Sequence, residues 1–310
     1  MCMADEIGDI KGVGSTTVEK LNSMGLNDIQ ELAKADPSLV DEYPDVSMSE
    51  DRLEGIIEDA AANAIVIQSG DEVVDQYDNI TTRPTGISEL DEKVSGFEAR
   101  SLIAIGGGTG SGKTQLAFQA LGEAVEDSGG KPAVYIETEP DRYRGGRIQQ
   151  MFDKDVQSKV HKVSVGGEEA LDMQYRSYKA VEEQFDDVSL VVVDSFTARF
   201  RLATKFDGRE SLGQRNQEFS RHLQALEQMA RSLDCPVLLI CQVYANPTQY
   251  GGSEVIYGSS LMMHMVNYVM KMRSSGNAMT NITVQNHPEM GDFSLSAQIN
   301  DNGVDSAQDV

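Results

Sequence analysis

The chain lacks several features that would place it in particular classes of protein. Its 310 residues include no tryptophan and only three cysteines, Cys2, Cys235 and Cys241. An odd number of cysteines without metal-ligand spacing excludes a disulfide framework and a zinc module, so we expect reduced thiols. No apolar run reaches the roughly 18 residues of a membrane-spanning helix, and we expect no signal peptide. These absences predict a cytoplasmic protein without a membrane partner.

Basic residues are also scarce. The chain has 26 Lys and Arg against 50 Asp and Glu, which gives a net charge of −24. The acids are spread along the whole chain, as in a protein adapted to the high salt of a halophile, although an ordinary acidic protein is the alternative. This balance argues against nucleic-acid binding through bulk charge, so any contact with DNA must be local.

One segment carries a phosphate-binding pattern. Residues 107–114 fit G-x-x-x-x-G-K-[ST], follow the apolar run 102–105 and precede a helix-like segment. Glycines let several backbone N–H groups converge on an anion, and the new helix directs its positive dipole end to the same point. Lys113 would reach the β- and γ-phosphates, and Thr114 would supply a hydroxyl to Mg²⁺. We predict a site for ATP and Mg²⁺ formed by Gly107, Gly108, Thr109, Gly110, Ser111, Gly112, Lys113, Thr114 and Gln115.

A second apolar run supplies a carboxylate to this site. Residues 190–193 are apolar and are followed by Asp194. Such runs are typical of strands buried on both faces of a parallel sheet, and ligands of α/β sheets lie at the carboxyl ends of the strands. Asp194 would therefore hold Mg²⁺, directly or through a water molecule.

The alternation of segments predicts the fold class. Strand-like runs (102–105, 133–137, 190–194, 237–240) alternate with helical segments (114–127, 167–185, 210–232). This order predicts an α/β fold whose mostly parallel sheet has helices on both faces. After about residue 266 the pattern changes to strand–turn–strand, at 268–272, 282–285 and 293–299.

Two polar residues follow other predicted strands beside the loop. The run 133–139 ends in acids, and Glu139 would orient and polarise a water molecule for in-line attack on the γ-phosphate. Gln242, after the run 237–241, would sense whether a γ-phosphate is present. The alternatives are a solvated loop acid for Glu139 and a hydrogen-bonded core amide for Gln242.

The chain begins with a separate small unit. Gly12 and Gly14 predict a tight hairpin with exposed N–H groups, and Ser15 would cap the helix that follows. This is the helix-hairpin-helix pattern, whose hairpin amides bind a nucleic-acid phosphate. The alternative is a small helical bundle that binds protein or spaces domains, since few basic residues lie nearby (Lys11 and Lys20).

These patterns divide the chain into four segments. We predict a helix-hairpin-helix domain at 1–62, a linker at 63–84, the α/β core at 85–303 and a loose acidic tail at 304–310.

The order of the motifs resembles the archaeal RadA branch of the RecA recombinase family, from about Asp9 to Gly303. The helix-hairpin-helix pattern is followed by Gly-Ser-Gly-Lys-Thr-Gln, Tyr-Ile-Glu-Thr-Glu, Val-Val-Asp-Ser-Phe-Thr-Ala-Arg-Phe-Arg and Gln-Val. The phosphate loop alone is generic, whereas its combination with residues 194–198 and with Arg209, Leu212, Gln214 and Arg215 is specific. The resemblance implies a RecA-type ATPase core.

The resemblance also implies roles for single residues. Lys113 and Thr114 match the nucleotide and Mg²⁺ residues, Glu139 matches the catalytic glutamate, and Gln242 matches the γ-phosphate sensor. Arg147 matches an arginine that stacks on adenine.

Contacts with DNA follow from the same resemblance. Residues 201–213 match the first DNA-binding loop and residues 244–258 match the second. His264 matches a histidine that couples DNA to the nucleotide of the neighbouring protomer, with a packed core histidine as the alternative. The predicted DNA-binding residues are Arg201, Arg209, Arg215, Gly12, Gly14 and His264.

The chain departs from the family pattern at several places. Gly108 stands where an acid is usual, Glu137 replaces an aspartate, and one residue is inserted within 140–142. Ile67 replaces the aromatic anchor of the Phe-x-x-Ala motif through which subunits polymerise. The second DNA loop holds Glu254 and no Lys or Arg, and residues 274–277 lack the lysines often seen there, which weakens phosphate contacts.

The resemblance implies an ATP-dependent DNA-binding protein of homologous recombination and repair, a Mg²⁺-dependent ATPase stimulated by DNA. Its partners would be single-stranded DNA, double-stranded DNA through the first domain, and further copies in a filament that hold ATP between protomers. The alternative is a divergent paralogue that binds ATP and modulates a recombinase in a hetero-complex, without strand exchange. The recombinase interpretation is favoured by Arg201, Arg209 and Arg215. The paralogue interpretation is favoured by Ile67 and by the second DNA-binding loop, which has no Lys or Arg. The first domain disfavours a third class, a circadian- or motility-type ATPase without DNA.

Overall fold

A computed structural model describes residues 7–10, 12–63, 69–71, 73–74, 79–167, 170–203, 212–245 and 254–307. Contacts within the chain separate two units, Met1–Asn79 and Ile80–Val310. Several residues singled out from the sequence lie outside the described ranges, namely Lys11, Ile67, Arg209 and residues 246–253.

The first unit is helical. Its described part includes two 3-10 turns, Ile7–Asp9 and Pro37–Glu42, and the helices α1 (Ser15–Ser23), α2 (Ile29–Leu32) and α3 (Glu50–Asn63). Apolar side chains from all of these elements are buried together, among them Ile10, Leu21, Leu32 and Leu53. The unit therefore has its own hydrophobic core, as an independent small domain requires.

The turn before α1 differs in one detail from the sequence prediction. Gly12 has φ +82°, which favours glycine, and its carbonyl accepts a hydrogen bond from Arg52 Nη2 at 2.7 Å. The prediction that Ser15 caps the helix is wrong, because Gly14 is the N-cap and no side chain caps it. The extended backbone of Gly14 already presents its carbonyl to the N–H groups of Thr17 and Val18.

The second unit is built on strands and helices that alternate. The strands are β1 (Thr82–Arg83), β2 (Phe97–Glu98), β3 (Leu102–Gly107), β4 (Ala133–Glu137), β5 (Val160–Ser164), β6 (Leu190–Asp194), β7 (Val237–Ala245), β8 (Glu254–Ile256), β9 (Tyr268–Gly276), β10 (Met279–Gln285), β11 (Phe293–Asn300) and β12 (Gly303–Ser306). The helices are α4 (Ser88–Val94), α5 (Lys113–Asp127), α6 (Gly145–Met151), α7 (Lys154–Lys159), α8 (Ala170–Gln184), α9 (Ala198–Leu202), α10 (Leu212–Ser232) and α11 (Ser259–Met265).

One mixed sheet organises this unit, and it confirms the predicted α/β fold class. Its strand order is β12-β11-β10-β9-β3-β7-β6-β4-β5, with β8 paired to β7, and β1 pairs with β2 separately. The run from β9 to β5 is parallel, whereas β10, β11 and β12 continue the sheet in antiparallel fashion. The parallel part leaves the carboxyl ends of β3, β7, β6 and β4 along one edge, where a ligand site is expected.

Both faces of the central parallel strands β3, β4 and β6 are buried. In β3, Ile103 and Ile105 belong to the core on one side, and Leu102 and Ala104 belong to the core on the other. Helix α5 covers the first face through side chains such as Leu116, and α8 and α10 cover the second. Successive strand residues point to opposite faces, so a continuous apolar run satisfies both cores.

The ends of the predicted core need correction. The prediction of an acidic tail that starts at residue 304 is wrong, because Gly303–Ser306 forms β12 and Val304 is fully buried. The side chain of Gln119 explains this: it accepts from the Val304 N–H at 2.6 Å and donates to the Val304 carbonyl at 3.1 Å. At the other end, β1 lies within the stretch predicted as linker.

The described cysteines, Cys235 and Cys241, are free and buried, and burial raises the pKa of the Cys235 thiol to about 12. Within the described parts of the chain, every helix is too short or too polar to cross a lipid bilayer.

Candidate nucleotide-binding site

The register of the parallel strands brings the candidate residues to one edge. Gly107 at the end of β3 pairs with Gln242 in β7, and Asp194 at the end of β6 pairs with Glu137 in β4. Asp194 also lies opposite Ile240 of β7. The sequence predicted these residues at strand ends, and the sheet places the strand ends side by side.

The loop after β3 takes the path that its glycines permit. Gly110 and Gly112 have φ +77° and +97°, values that other residues rarely adopt. A Cβ on Gly107 would lie 2.2 Å from the carbonyl oxygen of Met272, and one on Gly112 would lie 2.8 Å from Ile299 Cδ1. The loop is thus closely backed by β9 and β11, and it delivers Lys113 as the first residue of α5.

Lys113 is partly buried beneath this loop. Its ammonium donates to the Gly108 carbonyl at 2.8 Å, with Ser111 Oγ at 3.4 Å. Burial lowers the pKa of Lys113 from its ordinary value, because the charged form loses hydration, and the nearby Asp194 carboxylate opposes this shift. The ammonium is therefore a poorly hydrated cation within the loop, suited to an anionic ligand.

Asp194 lies directly beside Thr114. The Thr114 hydroxyl and the Tyr135 hydroxyl both donate to Asp194 Oδ2 at 2.8 Å. Asp194 is only 3% exposed, and burial raises the pKa of its carboxyl while the two hydroxyl bonds oppose that rise. A buried carboxylate next to a threonine hydroxyl offers the hard oxygen ligands that Mg²⁺ prefers, so the residues present fit the predicted metal.

The carboxylate of Glu139 is held from two sides. Arg142 Nη2 lies 3.3 Å from Glu139 Oε1, and Gln242 Nε2 donates to Glu139 Oε2 at 3.3 Å. The backbone N–H of Gln242 donates to Thr197 Oγ1 at 2.9 Å, which fixes the end of β7. Glu139 and Gln242 are both half-buried rather than fully solvated or enclosed in the core.

Glu137, two residues earlier, serves a different purpose. It is buried, with Lys162 Nζ 2.6 Å from Oε2 and the Tyr143 N–H 2.8 Å from Oε1. The hydrogen bonds and the positive charge of Lys162 outweigh the effect of desolvation and hold the pKa of Glu137 below its ordinary value. Glu137 therefore anchors the loop after β4, while Glu139 faces the phosphate loop.

These groups surround one cavity of about 450 Å³. The loop residues 107–110 and 112–115 form one wall, and Glu139, Asp194 and Gln242 line it from the strand ends. Its size is within the range of small-molecule sites. Two arginines line it as well, Arg142 and Arg201.

Two further residues predicted to bind the nucleotide, Gln115 and Arg147, contact each other. Gln115 lines it, and Gln115 Oε1 accepts a hydrogen bond from Arg147 Nε. The Arg147 guanidinium also donates to the backbone carbonyls of Asn300 and Asp301, so β11 and the turn after it orient the side chain. Stacking of Arg147 on adenine stays a prediction.

The predicted DNA-binding residues are dispersed. Arg215 Nη1 donates to the Tyr257 hydroxyl at 3.2 Å, and His264 is exposed on α11, which rules out a packed core histidine. Gly12 and Gly14 are exposed in the first unit. Arg201 lines the candidate nucleotide cavity, and its contact with DNA stays a prediction.

Sequence reasoning missed two members of the site. The sequence predicts only a buried strand at Tyr135, although the Tyr135 hydroxyl donates a hydrogen bond to Asp194; the signal in the sequence is a polar atom on an aromatic residue within the strand. The sequence gives no role to Arg142, because its position in the cavity depends on the fold of the loop.

The strand order and the strand–loop–helix unit at 102–127 define a RecA-type α/β domain with the loop geometry of nucleotide-binding proteins. Comparison with known proteins agrees. The Rad51 family model matches residues 76–307, and the chain belongs to that family. The chain is similar to the DNA repair and recombination proteins RadA of two Methanococcus maripaludis strains, C5 and C7, at 29% and 30% identity, and to that of Methanococcus voltae at 29%. Each match covers 97% of this chain and 99% of the relative.

Proposed function

We propose that this chain is a Mg²⁺-dependent ATPase that binds single-stranded DNA in homologous recombination and repair, with ATP held between protomers of a filament. The observation that carries the proposal is the cavity in which Lys113, the Thr114–Asp194 pair and Glu139 meet. The names of the RadA relatives support the biological role.

The residues of the cavity divide the work of hydrolysis. The loop amides and Lys113 bind the phosphates, and Thr114 and Asp194 would hold Mg²⁺, which neutralises phosphate charge when bound. Glu139 orients a water molecule and takes its proton as the water oxygen bonds to the γ-phosphorus. The bond to the β–γ bridging oxygen breaks with its electron pair, which stays on ADP. Gln242, hydrogen-bonded to Glu139, ties this carboxylate to the end of β7.

The route from the cavity to DNA follows α9 and α10. Arg201, in α9, lines the cavity, and α9 follows shortly after Asp194 in the chain. Residues 201–213, which connect α9 to α10, are the proposed first DNA-binding loop. We infer that Arg201 couples DNA binding to nucleotide binding. A side chain that contacts both DNA and the phosphates of ATP changes position when either ligand binds. The first unit would add contacts with double-stranded DNA through the turn at Gly12 and Gly14.

A second candidate is a paralogue that binds ATP and modulates a recombinase. One observation favours it: the described part of the second loop carries an acid, Glu254, and a Cβ on Gly108 would lie only 3.3 Å from Glu254 Oε1. The Glu254 carboxylate beside the phosphate loop would repel the phosphate backbone of DNA at this edge of the sheet.

ATP hydrolysis measured with and without single-stranded DNA at high KCl, with filaments scored by electron microscopy, separates the candidates. A recombinase shows stimulation by DNA and long ATP-dependent filaments. A modulating paralogue binds ATP, shows no stimulation by DNA and forms no filaments. A wild-type chain that binds no nucleotide would contradict both.

A further inference from the structure

Arg142 lies on the loop between β4 and α6. Its side chain lines the cavity together with Lys113, Glu139 and Asp194. The loop belongs to the same subunit as the phosphate loop, so this cation reaches the cavity without a neighbouring protomer.

The neighbouring residues fix the loop but leave the guanidinium adaptable. Asp141 has φ +62°, which turns the chain before Arg142. After it, the Tyr143 N–H binds Glu137 at 2.8 Å, and the Tyr143 ring packs against Phe118 with centroids 5.7 Å apart. The Arg142 side chain itself is 49% exposed, and its ion pair with Glu139 is long, at 3.3 Å. A guanidinium that is half exposed and held by one long ion pair is suited to a change of partner.

The charge of Arg142 acts on the centre of the site. The guanidinium lines the same cavity as the loop cation Lys113 and the proposed Mg²⁺ ligand Asp194. In the described structure it pairs with Glu139, the carboxylate that the proposed reaction needs to orient water. Arg142 therefore shares a cavity with the phosphate loop and pairs with the proposed base.

We propose that Arg142 is a cation for the γ-phosphate, supplied by the same subunit: it pairs with Glu139 without ATP and moves to the γ-phosphate when ATP binds, which frees Glu139. This inference rests on the proposed ATPase function. Guanidinium is the suitable group because its planar donors match phosphate oxygens in pairs. ADP lacks the γ-phosphate, so Arg142 favours ATP over ADP.

The first test measures affinity rather than turnover. Binding of fluorescent ATP and ADP analogues is compared for the wild type, Arg142→Ala and Arg144→Ala. Arg144→Ala is the matched control, since it removes the same charge from the same loop and Arg144 is an exposed residue away from the cavity lining. We expect Arg142→Ala to weaken ATP binding about tenfold, the loss of one charge-assisted hydrogen bond, and to leave ADP binding within about twofold. Equal changes for ATP and ADP, or equal behaviour of the two variants, would overturn the proposal.

The second test asks which subunit supplies the cation. Arg142→Ala retains Lys113, and Lys113→Ala retains Arg142, so the two variants are mixed and hydrolysis by the mixture is compared with that of each variant alone. A cation from the same subunit predicts no recovery of hydrolysis in the mixture. Recovery would show that Arg142 acts across an interface and would overturn the assignment.

The Lys113→Ala variant keeps the two proposals distinguishable. If the wild type binds ATP and Lys113→Ala does not, the nucleotide site is supported. The ratio of ATP affinity to ADP affinity in Arg142→Ala then tests the role of Arg142 alone. If the wild type and Lys113→Ala bind ATP equally weakly, the nucleotide site itself fails, and the role of Arg142 fails with it.

Discussion

The side chains of Gln242 and Glu139 are joined by a hydrogen bond, with Gln242 Nε2 lying 3.3 Å from Glu139 Oε2. Gln242 lies in β7 and Glu139 follows β4, and β6 runs between these strands. The bond therefore bridges the edge of the sheet near Asp194, at the end of β6. A γ-phosphate placed between the phosphate loop and Glu139 would compete for the same amide, which gives Gln242 a physical route to report its presence.

Replacing Glu139 with glutamine should abolish hydrolysis and retain ATP binding, because the amide keeps the shape and loses the base. Asp141→Asn is the control, since it makes the same chemical change at an exposed residue of the same loop. The measurement is single-turnover hydrolysis together with nucleotide affinity. Hydrolysis that persists within about threefold, less than about 1 kcal/mol of barrier, would assign the base to another residue.

Replacing Asp194 with asparagine should stabilise the folded protein at neutral pH while it removes Mg²⁺-dependent nucleotide binding. Burial raises the pKa of Asp194 above its unfolded value, so this group favours folding below the ordinary carboxyl pKa and that contribution is lost as pH rises through the raised pKa. The asparagine variant should therefore be more stable to unfolding than the wild type at pH 7, where the wild-type carboxyl has lost that contribution.

Urea unfolding at pH values from the ordinary carboxyl pKa up to neutral pH measures this difference, which should grow as pH rises through the raised pKa of Asp194. Glu126→Gln, which makes the same kind of change at an exposed position of α5, serves as the control. A variant less stable than the wild type at every pH would show that the Thr114 and Tyr135 hydroxyl bonds outweigh desolvation.

The sequence predicts those parts of the site whose geometry is encoded by residues close together in the chain. The loop at 107–114 and Asp194 were predictable, because a glycine pattern and an apolar run each encode their own geometry. Arg142 and Arg201 were not, because their position in the cavity depends on how loops fold back over the strand ends. Strand β12 was missed for a similar reason: its short polar sequence carries no alternation, and the buried Gln119 side chain fixes it from elsewhere in the chain.

The acidic surface should make the protein more stable as KCl rises into the molar range. A net charge of −24 repels itself in the folded state, and the screening length falls from about 10 Å at 0.1 M to about 3 Å at 1 M salt. Melting temperatures across KCl, with sucrose as an uncharged comparison, test this. Values that stay flat or fall with KCl would reject salt adaptation.

Replacing Ile67 with phenylalanine tests the polymerisation prediction, which rests on sequence because Ile67 lies outside the described residues. An aromatic anchor in a desolvated pocket adds on the order of 1–2 kcal/mol per contact. In a modulating paralogue, the wild type stays small with ATP and DNA, and the variant assembles further. In a recombinase with its own adapted pocket, the wild type forms filaments and phenylalanine is neutral or harmful. Sedimentation of both proteins distinguishes these outcomes.

The most direct test of the nucleotide site is calorimetric titration of the wild type and Lys113→Ala with ATP and Mg²⁺. Lys179→Ala is the control, because Lys179 is an exposed lysine on α8 that pairs with Glu182. The account predicts that the wild type and the control bind ATP, and that Lys113→Ala loses binding by at least about tenfold, the loss of a charge-assisted contact, without loss of folded structure. Unchanged ATP affinity in a folded Lys113→Ala protein would contradict the nucleotide site.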